Sequence, residues 1–168
     1  EKRRLLCSSY QSCSEGCSNL SKISMIDAEE IGNRAFLNCL NIKGELKFSQ
    51  NTKIIGKYSF AFCYGLNGDL KFPDSVVSIG ENAFQGDLNL NGELVLSKNL
   101  KKIERYLFYN CMQLSGELKF PDSIESIGDC AFFMCYGFIG TLNIPSTVKT
   151  IGDSAFWGCA QFTGDLNI

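Results

Sequence analysis

Five of the nine cysteines recur at a regular spacing, which raises the question of disulfide or metal chemistry. All are separated by multiples of 24 residues: Cys39, Cys63, Cys111, Cys135 and Cys159. The pattern fits either a stack of disulfides or metal ligands, or a row of small buried thiols. Equivalent side chains on stacked units point in parallel, whereas a disulfide needs them to face each other and zinc needs four convergent ligands. We therefore expect buried, reduced thiols.

Acidic residues share this spacing, but their pattern does not indicate an active site. An acid stands at five equivalent positions and a lysine two residues after three of them: Glu45, Asp69, Glu93, Glu117 and Asp165, with Lys47, Lys71 and Lys119. Paired catalytic carboxylates need environments that differ, whereas these repeat identically, so a solvated, charged sheet surface is favoured. The chain also has no histidine, the commonest general base and catalytic metal ligand. We predict a non-enzymatic protein with no cofactor and no metal.

Three further cysteines precede the regular part of the sequence. Cys7, Cys13 and Cys17 have spacings that match no strong metal motif. One disulfide among these three is expected if the protein is exported. Asn19-Leu20-Ser21 is a lone N-glycosylation sequon, which fits an exported chain.

Composition excludes several classes of protein. The 16 Lys and Arg residues against 18 Asp and Glu residues give a formal charge of −2, which lacks the basic field that nucleic acid requires. No apolar stretch approaches the roughly 20 residues that a membrane-spanning helix needs. The 168 residues, 45% of them hydrophobic, suffice for one packed domain. The expected partner is therefore a protein, with no nucleic acid and no membrane insertion.

The elements that position these residues repeat with a period of 24. Glycine recurs at the start of each unit, followed by an acid or threonine and then leucine: Gly44, Gly68, Gly92, Gly116, Gly140 and Gly164. A phenylalanine recurs within each unit at Phe60, Phe84, Phe108, Phe132 and Phe156, and the unit closes on Leu66, Leu90, Leu114, Phe138 and Phe162. No single unit can bury its leucine, isoleucine and phenylalanine alone, so the units must stack. The period predicts a solenoid.

Each unit reads as two short strands and a return turn. In Gly-Glu-Leu-Lys-Phe, apolar and charged residues alternate, which is the period of a strand with one buried face. Pro-Asp-Ser ends this strand, and a second extended stretch such as Val-Val-Ser-Ile-Gly follows. The Ala-Phe-x-x-Cys segment is predicted to be one helical or 3₁₀ turn that returns the chain.

The combined pattern resembles a known repeat family. Leu-x-Phe-Pro-Asp-Ser-Val-x-x-Ile-Gly-x-x-Ala-Phe-x-x-Cys is similar to the leucine-rich repeats of the BspA type, found on surface proteins of anaerobic bacteria and parasitic protists. The resemblance implies a right-handed leucine-rich-repeat solenoid of parallel strands in a surface antigen or adhesin. The predicted organisation is an N-terminal cap or degenerate repeat at 1–30 and repeats at 31–168. Five full units span 44–163, with partial units at both ends.

Two units depart from the pattern. Asp87 stands where the other units have cysteine, so that rung is expected to close differently. Glu104 replaces the glycine of Ile-Gly and Leu107 replaces the alanine. The turn of this unit is expected to be looser.

The strongest candidate binding residues follow the repeated phenylalanine. Aromatic side chains and methionine at non-core positions of neighbouring units predict an apolar stripe along one edge: Tyr109, Phe133, Tyr136 and Trp157, with Phe62, Tyr64 and Met134. The alternative is that some of them fold inward and thicken the core. The predicted function is a protein-recognition module, secreted or at the cell surface, that binds a host or matrix protein. An intracellular, cytoplasmic scaffold for protein–protein interaction is the alternative.

Overall fold

Ten two-residue strands mark the successive turns of the chain. A computed structural model describes residue 22 and residues 26–164. The strands are β1 Glu30–Ile31, β2 Ile54–Ile55, β3 Leu70–Lys71, β4 Ser78–Ile79, β5 Leu94–Val95, β6 Lys102–Ile103, β7 Gly116–Glu117, β8 Ser126–Ile127, β9 Phe138–Ile139 and β10 Thr150–Ile151. Outside the described residues lie Cys7, Cys13, Cys17, the sequon at 19–21 and Asp165, together with most of the predicted N-terminal cap.

The strands pair in parallel between successive 24-residue rungs, on two faces of a solenoid. The leading strands lie at or just before the Gly-Glu-Leu segment of each unit and pair as β3 with β5 and β7 with β9; the second pair aligns Gly116 with Phe138. The trailing strands form two three-stranded sheets, β1-β2-β4 and β6-β8-β10, with the isoleucine of each strand opposite that of the next. The predicted leucine-rich-repeat solenoid of parallel strands is confirmed.

The return turns connect each trailing strand to the next rung, and the prediction of a helical or 3₁₀ turn is wrong. None of the described residues lies in a helix. In the first return turn, the N–H groups of Ala35, Leu37 and Cys39 each donate to the carbonyl three residues earlier. The intervening N–H groups donate across the gap to the next rung, as from Phe36 to Ser59 O at 2.7 Å. A helix would direct all of these N–H groups along its own axis, which would leave the neighbouring rung unpaired.

Two residues of each return turn adopt the left-handed backbone conformation that makes this alternation possible. One column has φ between 51° and 59°: Arg34, Tyr58, Asn82, Tyr106, Cys130 and Ser154. The second column comes four residues later: Asn38, Phe62, Gly86, Asn110, Met134 and Gly158. A positive φ at the third residue of alternate turns is the geometry of a type II turn. Because asparagine and glycine occupy only part of these columns, the sequence gives an incomplete signal for them.

The core is a continuous stack of phenylalanine rings flanked by leucine and isoleucine. Phe60, Phe84, Phe108 and Phe132 are fully buried. Successive ring centroids lie 5.4 Å apart for Phe60–Phe84, 5.9 Å for Phe84–Phe108 and 5.4 Å for Phe108–Phe132. Because each rung contributes one ring to the stack, no rung has a core of its own.

Candidate functional site

The outward surface of the return turns, called the turn face below, carries a ladder of three aromatic rings. Tyr109, Phe133 and Trp157, the aromatic ladder, occupy one column of three consecutive rungs. The ring centroids lie 4.8 Å apart for Tyr109–Phe133 and 4.6 Å for Phe133–Trp157, with interplanar angles of 8° and 14°. Tyr109 and Phe133 are half-buried, whereas Trp157 is 55% exposed. The sequence prediction that these side chains share one edge is correct for these three.

The return turns fix the ladder from beneath. Asn110 N–H donates to Phe133 O and Met134 N–H donates to Trp157 O, each at 2.8 Å. These bonds join the rungs beside the rings, so the ring spacing follows the strand-like spacing of the backbone. The residue before each of the first two ladder rings is a fully buried phenylalanine, which places the ladder side chains on the opposite, outward side.

The remaining predicted residues lie in other columns. Tyr136 is 39% exposed and its ring covers Gly158, where an added methyl carbon would come 3.3 Å from Tyr136 Cε1. Met134 is half-buried in the left-handed column. Phe62 and Tyr64 form a separate pair with ring centroids 6.4 Å apart.

The predicted stripe is therefore not continuous, which corrects the expectation from the sequence. Gln85 occupies the ladder column of the rung between the Phe62–Tyr64 pair and Tyr109. Gly86 follows it and leaves the space that the Phe62 ring fills. The aromatic ladder together with Tyr136, called the C-terminal aromatic cluster below, is thus a site distinct from the Phe62–Tyr64 pair.

Tyr106 belongs to the cluster although it was not predicted. Its ring centroid lies 5.5 Å from that of Tyr109, and the Arg105 guanidinium stands 5.3 Å from the Tyr106 ring centroid. The next residue, Leu107, belongs to the core. The left-handed backbone of Tyr106, with a φ of 56°, sets the direction of the Tyr106 side chain. Asn82 is the one asparagine at the equivalent positions and the only signal in the sequence for a left-handed residue there.

Apart from Arg105 against Tyr106, the sequence around the cluster is uncharged. Residues 106–113, 130–137 and 154–161 contain no charged side chain. The leading strands carry exposed ion pairs instead, with Nζ–O distances of 3.1 Å for Lys47–Glu45 and 3.0 Å for Lys119–Glu117. The hydrogen bond from Lys71 also holds the pKa of Asp69 below its ordinary value. The predicted charged sheet surface is confirmed, and the turn face differs from it in chemistry.

The buried cysteine column joins adjacent rungs by hydrogen bonds. Each thiol donates to the carbonyl oxygen of the core phenylalanine one rung earlier: Cys63 to Phe36 at 2.9 Å, Cys111 to Phe84 at 3.0 Å, Cys135 to Phe108 at 3.1 Å and Cys159 to Phe132 at 3.2 Å. All six cysteines in the described part of the chain are unbridged. The column is therefore structural, as the sequence analysis favoured.

We expect these column thiols to be reduced and unreactive in the folded protein. Burial raises the pKa of Cys111 and Cys135 well above the ordinary value and that of Cys159 to about 11, which suppresses the reactive thiolate. Maleimide labelling followed by mass spectrometry measures each site. Modification only after denaturation is the predicted outcome. Labelling of Cys111 or Cys135 in the native protein, or no free thiol there after denaturation, contradicts it.

Asp87 takes the place of a cysteine in this column and is fully buried. Its Oδ1 accepts a hydrogen bond from Cys63 N–H at 2.7 Å, whereas Oδ2 has no hydrogen-bond partner in the described part of the chain. Burial raises the pKa of Asp87 well above its ordinary value. A protonated carboxyl group supplies one donor and one acceptor, as the thiols of this column do.

Replacing Asp87 by asparagine is expected to remove one pH dependence of stability. Because the pKa is higher in the folded chain, the stabilisation is complete below the unfolded pKa and is lost as the pH rises through the folded pKa. The asparagine of the Asp87→Asn variant cannot ionise. The free energy of unfolding of this variant should therefore rise relative to that of the native chain from about pH 4 upward. Urea unfolding at several pH values measures this difference. Parallel stability profiles for the two proteins contradict the assignment.

No group of three or more Cys, Asp or Glu side chains that could hold a metal ion occurs among the described residues. None of the described segments forms a helix with the length and apolar character to cross a membrane.

Comparison with known proteins identifies the repeat. A family model described as the BspA type leucine-rich repeat region matches residues 6–67 and 29–163, with six copies. No curated protein matches the chain significantly.

Two solved structures show the same fold. A leucine-rich cell surface protein from Faecalibacterium prausnitzii A2-165 is 17% identical with a TM-score of 0.52, over 90% of this chain and 63% of that protein. A leucine-rich repeat protein from Bacteroides ovatus ATCC 8483 is 24% identical with a TM-score of 0.51, over 92% of this chain and 52% of that protein. The chain thus spans less than two thirds of either structure.

Proposed function

We propose that this chain, which belongs to the BspA-type leucine-rich repeat family, is a cell-surface recognition module that binds a protein through its turn face. The repeats of this family form a non-enzymatic scaffold for protein interaction. Such a scaffold places its specificity in side chains that vary from rung to rung. The choice of binding surface therefore depends on which surface carries side chains that differ from rung to rung.

The aromatic ladder is the observation that carries the proposal. Trp157 is the most exposed large hydrophobic residue among those described, at 55%, and Tyr136 beside it is 39% exposed. Tyrosine, tryptophan and methionine are enriched at the centres of protein interfaces, where charged residues are depleted. Residues 106–113, 130–137 and 154–161 combine these residue types with no charge.

The proposal also states where the protein acts and what it binds. The location is the cell surface, and the ligand is a host or matrix protein. The Faecalibacterium prausnitzii structure with the same fold is a cell surface protein. Large exposed apolar patches on soluble proteins often mark contacts with other proteins, and Trp157 with Tyr136 is such a surface on the turn face.

An intracellular scaffold is the second candidate, and one observation favours it. The six described cysteines are all free, which is the usual state in a reducing compartment. Their burial explains the same observation without any reducing compartment, because buried thiols are shielded from oxidants.

Two measurements test the proposed function. An antibody against the chain should label intact cells of the source organism as strongly as permeabilised ones. Purified matrix proteins presented to the immobilised chain should include at least one that binds saturably and is displaced by soluble chain. Labelling that requires permeabilisation, together with no binding to any matrix protein, would overturn the surface proposal in favour of the intracellular scaffold.

A further inference from the structure

Two neighbouring rungs carry almost the same short sequence around an Asn-Gly pair. Residues 66–70 read Leu-Asn-Gly-Asp-Leu and residues 90–94 read Leu-Asn-Gly-Glu-Leu, and these contain the only two Asn-Gly pairs of the chain. Asparagine before glycine is especially prone to deamidation, because glycine has no side chain to hinder attack by its own backbone nitrogen. Local sequence alone predicts similar reactivity at Asn67 and Asn91. A difference between the two sites therefore reports the folded structure.

Deamidation of an Asn-Gly pair proceeds through a cyclic imide. The glycine nitrogen loses its proton to hydroxide and forms a bond to Cγ of the asparagine side chain, and the side-chain nitrogen leaves as ammonia. Water then opens the imide at either carbonyl, which gives aspartate or isoaspartate. The overall reaction consumes one water molecule and releases one ammonia. It needs an asparagine side chain that can turn, a glycine N–H that can be released, and room for the ring.

The two asparagine side chains differ in the first of these conditions. Both residues are exposed. Asn91 Oδ1 accepts a hydrogen bond from Gly68 N–H at 2.9 Å, which ties the Asn91 side chain to the preceding rung. The Asn67 side chain has no hydrogen-bond partner among the described residues. Only the Asn67 side chain is therefore free to rotate toward the nitrogen of the following glycine.

The two glycine nitrogens are held by groups of different kinds. Gly92 N–H donates to the backbone carbonyl of Gly68 at 3.0 Å, so it belongs to the main-chain bonding between rungs. Gly68 N–H donates instead to the exposed side chain of Asn91. Releasing the first requires two rungs to separate, whereas releasing the second requires one side chain to rotate. The Gly68 nitrogen is therefore the more available nucleophile.

The space around the two glycines differs in the same direction. A methyl carbon added to Gly92 would lie 2.6 Å from Asp69 N and 2.6 Å from Gly68 C, which are backbone atoms of the preceding rung. The nearest atom to a methyl carbon on Gly68 would be Glu45 Cγ at 3.3 Å, in a side chain that can move aside. Closing the imide ring shifts the main chain between asparagine and glycine. The structure leaves room for that shift at Gly68 and not at Gly92.

We propose that the folded chain deamidates at Asn67 and spares Asn91, and that the Asn91 side chain limits the rate by holding Gly68 N–H. Asn67 N–H donates to Gly44 O at 3.1 Å, so the reacting residue lies between two hydrogen bonds to neighbouring rungs. The isoaspartyl product lengthens the main chain by one carbon between these bonds and adds a negative charge. The modification therefore disturbs one rung of an otherwise regular stack. It is independent of the aromatic ladder and of the proposed function.

Peptide mapping by mass spectrometry tests the proposal during incubation of the whole chain in mildly alkaline buffer. In guanidinium chloride, where the chain is unfolded, the two sites should convert at similar rates. In the folded chain, Asn67 should convert at least about tenfold faster than Asn91. Chromatography of the peptides should show isoaspartate at Asn67, which is the mark of the imide. No conversion of Asn67 in the folded chain, equal rates at the two sites, or faster conversion of Asn91 overturns the proposal.

Substitutions of Asn91 test its role at the neighbouring site. Asn91→Ala removes the acceptor of Gly68 N–H and should raise the rate at Asn67 by about two- to tenfold, the effect of one hydrogen bond. Asn91→Asp keeps an acceptor oxygen and should leave the rate near its native value. Asn89→Ala is the matched control, because it removes a side-chain hydrogen bond to Tyr64 O on the same turn. A native rate at Asn67 in the Asn91→Ala variant, or an equal increase in the Asn89→Ala variant, overturns the assignment.

Discussion

Replacing Phe132 with alanine is expected to lower the free energy of unfolding by about 3–5 kcal/mol. The ring is fully buried, and its centroid lies 5.4 Å from that of Phe108 and 5.5 Å from that of Phe156. Phe120 contacts it edge-on at 5.8 Å. Because backbone hydrogen bonds fix the spacing between rungs, the neighbouring rings cannot collapse into the space that the substitution leaves. The loss therefore includes a cavity as well as the buried surface of the ring.

Denaturant unfolding of the Phe132→Ala and Lys119→Ala variants measures this effect against a control. Lys119 lies on the charged leading face and is exposed, so its truncation should change stability by less than about 0.5 kcal/mol. Equal unfolding midpoints for the two variants contradict the assignment of the phenylalanine stack to the core.

The repeat predicted the core columns correctly because every rung has the same length. With no insertion in the 24-residue spacing, residues of one column must stack, and the buried positions of Phe84, Phe108 and Phe132 follow from the sequence alone. The return turn was predicted as one helical or 3₁₀ turn because Ala-Phe-x-x-Cys has a small residue before the aromatic one. Its conformation depends on left-handed residues, and tyrosine at 58 and 106 gives no local signal for a positive φ.

The candidate site was predictable in part for the same reason. Tyr109, Phe133 and Trp157 share a column by spacing, so their stacking follows once the rungs are in register. The gap at Gln85 was also visible in the spacing, because Gln85 stands in the ladder column. The contribution of Tyr106 depends on which side of the turn the residue faces, which spacing does not determine. Glu104 was visible as an exception in its column. Its consequence, the absence of pairing between β4 and β6 in the described part of the chain, depends on the close approach of the preceding rung at the equivalent glycines, which only the structure provides.

The double substitution Tyr136→Ser with Trp157→Ser is expected to weaken binding of the protein ligand by at least about a hundredfold. Aromatic anchors contribute about 2 kcal/mol or more each when a partner buries them, and these two are among the most exposed aromatic side chains of the turn face. The fold should survive because neither ring belongs to the phenylalanine stack. Unfolding of the double variant, followed as for Phe132→Ala, checks that the loss of affinity is not a loss of structure.

The most direct test of the account starts from a matrix protein that binds the native chain. Its dissociation constant is measured for the double variant and for the Lys71→Glu variant. Lys71 lies on the leading strands and pairs with Asp69 at 2.5 Å, so its reversal should change mainly the association rate and its salt dependence. The account predicts a loss of at least about a hundredfold for the double variant and near-native affinity for Lys71→Glu. Native affinity in the double variant with a large loss in Lys71→Glu would contradict it and move the binding site to the charged sheet.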